Sequence, residues 1–250
     1  NIFTGHMILQ VDSTVRHYDV NTGSLSPSLY TLSSPLNRSG DVDATHIYFA
    51  DGPTLLRLPL DGSTGALPLV TETGNNIMDH DLTTNRVVYM VESTASPFSR
   101  SIKSIQKTGG SASTLVGLTN DGLDFEAAWG FIYYDRSSIS GLFAGTVKED
   151  GTGLQEVANA KWVGIIESTT FKMDESTGID RFLRIEGCSA VSPFSCANGI
   201  LKSIDAFTNT GEIILGALPP DIDSIDGWDD IGPNILAKGV DFDSTNTDIF

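Results

Sequence analysis

Short apolar runs bounded by Gly, Pro, Asn and Asp recur along this chain, and no stretch of useful length carries the 3.6-residue period of an amphipathic helix. The clearest instance is Thr45 to Thr71, THIYFADGPTLLRLPLDGSTGALPLVT. It predicts three strands, Ile47–Ala50, Leu55–Leu60 and Ala66–Val70, separated by the breakers Asp51-Gly52-Pro53 and Asp61-Gly62.

Copies of the first apolar run follow at Val87–Met90, Phe131–Tyr134, Phe182–Ile185 and Ile235–Ala237, and one precedes it at Met7–Leu9. Their starts step by 40, 40, 44, 51 and 53 residues, at or just above the roughly 40–45-residue period of a four-stranded propeller blade. A second marker keeps phase: Asn21-Thr22-Gly23, Asp61-Gly62, Thr108-Gly109-Gly110, Asp150-Gly151 and Asn209-Thr210-Gly211 each place a turn-forming Gly after a further strand. Short β-rich runs come after those turns. Another segment precedes each apolar run from Ile47 onward: Gly40–Ala44, Met78–Leu82, Leu123–Ala128, Val163–Ser168 and Ile225–Asp229.

Lettered A to D from the axis outward, these four segment types predict an all-β chain, a β-propeller of six blades of four antiparallel strands. Residues 1–250 form a single domain in this reading, with blades starting near 1, 40, 78, 123, 163 and 225. A β-sandwich with evenly spaced strands is the alternative, and it does not predict four segment types recurring in one order. The last blade is expected to be incomplete, its third strand only beginning at Thr247–Phe250. Either Asn1–Gly5 helps close it or the native protein continues.

The segments IYFADGPTLLRLPLDG and MDHDLTTNRVVYMVES resemble repeats of the six-bladed propellers of the TolB and YWTD classes. Those pair an aromatic-rich strand with one reading like "LYRLPLDG". The resemblance covers about Asp41–Asn120, fades afterwards and implies a fold rather than an activity, because such propellers host receptors, scaffolds, lyases and hydrolases alike.

Composition narrows the partners. Lys and Arg number 15 against 32 Asp and Glu, a net charge of −17, which repels phosphate backbones and anionic lipid heads and favours cations or basic proteins. No apolar run reaches the roughly 18–20 residues of a spanning helix. The chain opens on Asn1-Ile2-Phe3 rather than Met, so a processed or trimmed form is expected. Cys188 and Cys196, in GCSAVSPFSCANG, are spaced to staple the neck of a surface loop. The other readings are free thiols and, more weakly, metal ligands. A disulfide would imply an extracellular, cell-surface or periplasmic setting. Asn37-Arg38-Ser39 is a glycosylation sequon in a eukaryotic source.

Two patterns suggest where function sits. From apolar-strand start to Gly turn the distances are 14, 14, 21, 19 and 27 residues. This predicts lengthened B-to-C loops at Glu92–Arg100, Arg136–Ser140 and Gly187–Asn198, either a recognition face or drift in tolerated loops. The A segments also carry acids two residues apart, Asp41 and Asp43, Asp79 and Asp81, Asp124 and Glu126, with Glu167, Asp226 and Asp229 later. Strand alternation sends each pair to one side. Converging on a channel mouth they would hold a cation, with Asp79 and Asp124 as ligands and Ca²⁺ as the ion. Alternatively they cap turns and backbone. Trp129, Trp162 and Trp228 lie beside or within A segments, as blade core or as platforms for a glycan.

No nucleophile elbow, H-E-x-x-H, phosphate-binding Gly loop or haem site is present, and His6, His17, His46 and His80 are scattered. His80, between Asp79 and Asp81, should face away from both and pack. The expected function is therefore a non-catalytic binding or assembly module using its long-loop face, with a protein or glycan as ligand. A cation-dependent hydrolase or lyase with an acidic channel mouth is the alternative. A structural subunit of a larger extracellular assembly is a third reading.

Overall fold

The computed structural model describes every residue except 1, 4, 5, 12, 34–39, 120, 121, 129, 139, 140, 167–180, 189–198, 206–210, 218–223, 232, 233, 241–246 and 250. No helix occurs among the described residues. The strands of the described residues form six sheets in chain order. The first holds β1 (Ile2–Phe3), β2 (His6–Val11), β3 (Thr14–Asp19), β4 (Ser24–Leu25) and β5 (Tyr30–Thr31), the last two both pairing β3. The second is β6 (Asp41–Val42), β7 (His46–Asp51), β8 (Thr54–Pro59) and β9 (Leu67–Thr71). The third is β10 (Asn75–Leu82), β11 (Arg86–Ser93), β12 (Arg100–Gln106) and β13 (Ser113–Thr119).

Three more sheets follow the same course. They are β14 (Gly122–Ala128) to β17 (Gln155–Ala158) by way of β15 (Phe131–Ser138) and β16 (Gly141–Lys148), then β18 (Ala160–Ile166), β19 (Arg181–Glu186), β20 (Ile200–Asp205) and β21 (Ile213–Ala217). The last is β22 (Ser224–Ile231), β23 (Asn234–Val240) and β24 (Thr247–Ile249). Consecutive antiparallel meanders, each completed before the next begins, are the blades of a β-propeller.

The chain divides into two compact units, residues 1–120 with 149–152, and residues 121–148 with 153–250. In the first, successive sheets bury each other's faces. Ile47 and Phe49 of β7 pack with Leu56 and Leu58 of β8 against Val15 and Leu32. Tyr48, pointing the other way as alternation requires, joins Leu55 and Leu69 against Ile77, Val87, Tyr89, Val91 and Ile105. With both faces covered, a strand must be apolar at consecutive positions, which is why these runs are readable in the sequence. In the second unit Ile132, Tyr133 and Tyr134 of β15 are fully buried. Tyr134 lies across Gly145 of β16 so closely that a Cβ there would clash with its ring.

The turn glycines Gly23, Gly62, Gly109, Gly110, Gly151 and Gly211 all have positive φ, the conformation for which Gly was selected. The B-to-C loops differ from expectation. Arg136–Ser138 continues β15, paired with Gly141–Phe143, so the extra length there went into strand rather than loop. Thr94–Ser99 is a true loop, tied to the preceding turn by Thr94 N and Oγ1 donating to Gly74 O at 3.1 and 2.9 Å. Of the cysteine loop, Gly187 and Cys188 are described and Cys188 is buried; Cys196 lies outside the described residues.

Candidate functional site: an acidic cleft on the first unit

A cleft of about 660 Å³ opens at the A-to-B end of the second and third sheets. Residues 41–45 form one wall, residues 81–84 the other, and Lys107 lines it after β12. Asp41, Asp43 and Asp81 of the predicted set thus meet here, three carboxylates against one ammonium.

Asp43 is the best-held of them. Its Oδ1 accepts from Thr45 N (2.9 Å), His46 N (3.0 Å) and Thr45 Oγ1 (3.1 Å), closing the β6–β7 turn. Its Oδ2 accepts from the Tyr48 hydroxyl at 3.0 Å and faces Lys107 Nζ at 3.3 Å. Burial alone would raise its pKa. The Thr45 and His46 N–H groups, the Tyr48 hydroxyl and Lys107 outweigh that and hold it at about 2. Tyr48 is pushed in the opposite sense, up, by burial and by the neighbouring Asp43 charge. Lys107 also stands over the Tyr48 ring at 5.7 Å, and its carbonyl accepts from Arg57 Nη1 at 2.8 Å.

The far wall is fixed from outside. Glu149 accepts a hydrogen bond from the Thr83 hydroxyl and one from Asn85 Nδ2 at 3.4 Å, and its carbonyl accepts from Ser104 Oγ at 2.8 Å. The β10–β11 turn is therefore braced against a separate chain segment.

The remaining acids reveal a second use. β10 and β14 open their sheets and are paired on one side only, so every second N–H has no ladder partner. Asp79 Oδ1 accepts from His80 N (2.9 Å), Asp81 Oδ1 from Leu82 N (2.7 Å) and Asp124 Oδ1 from Phe125 N (3.1 Å). These carboxylates supply the acceptors that an edge strand lacks. Asp79 is buried beside the bulge between Ile77 and Asp79, and does not line the cleft. His80 is packed: its Nε2 lies 3.1 Å from Tyr48 O and 3.6 Å from Asp41 Oδ2.

Asp124 is exposed and Glu126 half-buried on β14, in the second unit. Trp129, Glu167 and Cys196 lie outside the described residues, and of Trp162, Asp226, Trp228 and Asp229 only the strand backbone is described. Among the described residues no group of three or more His, Cys, Asp or Glu side chains is arranged to hold a metal ion. Lys107 and Tyr48 are the site residues that strand alternation among the A segments does not reveal. The only sequence signal for Lys107 is its position just before the Thr108-Gly109-Gly110 turn.

The cleft and the loop Thr94–Ser99 lie at opposite ends of the third sheet, because one is at the β10–β11 connection and the other at the β11–β12 connection. The two sequence signals, expected on one face, separate here.

No helix among the described residues is long and apolar enough to cross a membrane. No protein-family model matches this chain, and a search of curated proteins finds no match. Among solved structures, "KlHsv2 with loop 6CD replaced by a Gly-Ser linker" is similar over 95% of this chain and 73% of that one, at 9% identity and a TM-score of 0.53. The nidogen/laminin complex is similar over 82% of this chain and 78% of that one, at 16% identity and TM-score 0.37. A putative TolB from Agrobacterium tumefaciens is similar over 86% and 77%, at 11% identity and TM-score 0.43. At 9% identity and a TM-score of 0.53, the first of these is a likeness of fold alone.

Proposed function

We propose that this chain, one six-bladed propeller domain over residues 1–250, is a non-catalytic binding or assembly module that takes a basic protein segment into the acidic cleft. The observation that carries this reading is the state of the cleft's carboxylates. Asp43 and Asp81 are tied to backbone N–H groups, and Asp43 also to Tyr48 and Lys107. They therefore present fixed negative charge on a braced wall rather than a mobile acid–base pair. Preorganised charge of this kind favours lysine and arginine side chains, and the net charge of −17 adds long-range attraction. A bridge between Cys188 and Cys196, and with it an extracellular or periplasmic setting, belongs to the same proposal. It is supported by the burial of Cys188 and by the eight-residue spacing of the two cysteines.

Titration with a decalysine peptide tests the cleft. Asp81→Asn should weaken binding about fivefold to tenfold, the loss fading as salt rises toward about 0.5 M. Asp61→Asn removes the same charge from a fully exposed turn outside the cleft and should change affinity by less than about twofold. Equal effects of the two substitutions would reject the cleft in favour of diffuse attraction.

A further inference from the structure

The third sheet carries a second concavity at its other end. It is a pocket of about 280 Å³ lined by Asn75 at the start of β10, Val91 and Ser93 of β11, Ser99, Ser101 and Lys103 around β12, and Thr114 and Leu118 of β13. Ser101 is only 1% exposed, and its Oγ has no hydrogen-bond partner among the described residues. A buried hydroxyl without a protein partner keeps its full capacity to donate and accept, so it can bond a polar group that enters the pocket.

The chemistry of the lining identifies the class. Lys103 Nζ is committed to Glu72 Oε2 at 2.7 Å, and the other Glu72 oxygen accepts from Tyr89 at 2.9 Å. The local charge is thereby closed, so the pocket selects neither an anion nor a cation. What remains are the hydroxyls of Ser99, Ser101 and Thr114, since Ser93 Oγ donates to Ala95 O at 3.3 Å and accepts from Ala95 N at 3.1 Å, and Asn75 Nδ2 donates to Thr73 O at 3.5 Å. Each hydroxyl both donates and accepts, as the hydroxyls of a polyol do. Leu118, 73% exposed, adds apolar surface for a C–H face. Phe98, beside Ser99 in the same loop, is 62% exposed, and aromatic side chains stack on sugar rings. The volume falls near the lower bound, about 300 Å³, of small-molecule sites, the size for one sugar ring.

We infer that this pocket is a binding site for a neutral, hydroxyl-rich ligand of monosaccharide size, reading it through Ser101. The site is separate from the acidic cleft, and its occupancy does not depend on that proposal.

The test uses saturation-transfer NMR and thermal unfolding of the full chain with glucose, mannose and galactose, and with glucuronate as the charged comparison. At least one neutral hexose should bind in the millimolar range and raise the unfolding temperature, with glucuronate no better. Ser101→Val should abolish both responses while leaving the unliganded protein as stable or more so. Thr114→Val, at an exposed position, should weaken binding about fivefold to tenfold without affecting folding. No response to any neutral hexose would overturn the inference, as would preference for glucuronate or a response unchanged in Ser101→Val or Thr114→Val.

Discussion

The two ends of the paired second and third sheets treat their polar groups in opposite ways. At the A-to-B end the acids are consumed internally. Asp81 serves a strand-edge N–H, and Asp43 serves two backbone N–H groups, two hydroxyls and a lysine. At the B-to-C end the charges are closed by the Tyr89–Glu72–Lys103 group, and a neutral hydroxyl, Ser101, is left without a partner among the described residues. A satisfied carboxylate keeps its charge while losing its freedom, so it can attract a partner through space without a change of protonation. An unsatisfied hydroxyl has the reverse property: it contributes nothing at a distance and directional bonding on contact.

That contrast can be broken by substitution, starting where the effect should be greatest. Glu72→Ala strands the Tyr89 hydroxyl and the Lys103 ammonium, both in the packed region between two sheets, and should cost about 2–4 kcal/mol in urea unfolding. A cost under about 1 kcal/mol would mean that the B-to-C end is not charge-closed. Asp43→Ala removes the acceptor that closes the β6–β7 turn and should cost about 1–3 kcal/mol. Asp43→Asn should recover part of it.

The same carboxylate gives a pH dependence. Its folded pKa of about 2 lies below the ordinary 3.8, so its stabilisation is fully present above about pH 4. It is lost as pH falls through about 2. Asp43→Asn should flatten that portion of the acid-unfolding curve, and an unchanged curve would remove Asp43 from the account. Ser101→Val should move stability the other way, raising it by about 0.5–1 kcal/mol. Lys107→Gln should change stability least, by under about 1 kcal/mol, yet strengthen decalysine binding by deleting the ammonium of the cleft.

Strand order, sheet starts and turns were legible because two-sided burial forces consecutive apolar residues such as Ile47, Tyr48 and Phe49, and because positive φ at Gly62 or Gly151 demands glycine. Loop placement was less so. A longer interval between markers is satisfied equally by a loop, as at Thr94–Ser99, or by longer strands, as at Arg136–Ser138. The acid pairs were visible as a spacing, but their work was not. Whether Asp79 faces a channel or its own strand's edge depends on which side of β10 has a neighbour, and on a bulge that local sequence does not announce. Glu72 with Tyr89 and Lys103, and Glu149 with Thr83, join residues 17 to 66 positions apart; no periodicity encodes such pairs. Ser101 looked like any strand serine, since lacking a partner is a property only of the fold.

The central claim is that the acidic cleft is a prepared site for a basic segment. Backbone amide mapping by ¹⁵N NMR during decalysine titration tests it directly. The shifts should concentrate at residues 41–46, 81–84 and 107, with the amides of Ser99–Lys103 unmoved. Shifts spread evenly over the acidic surface, or centred on the β11–β12 loop, would contradict it.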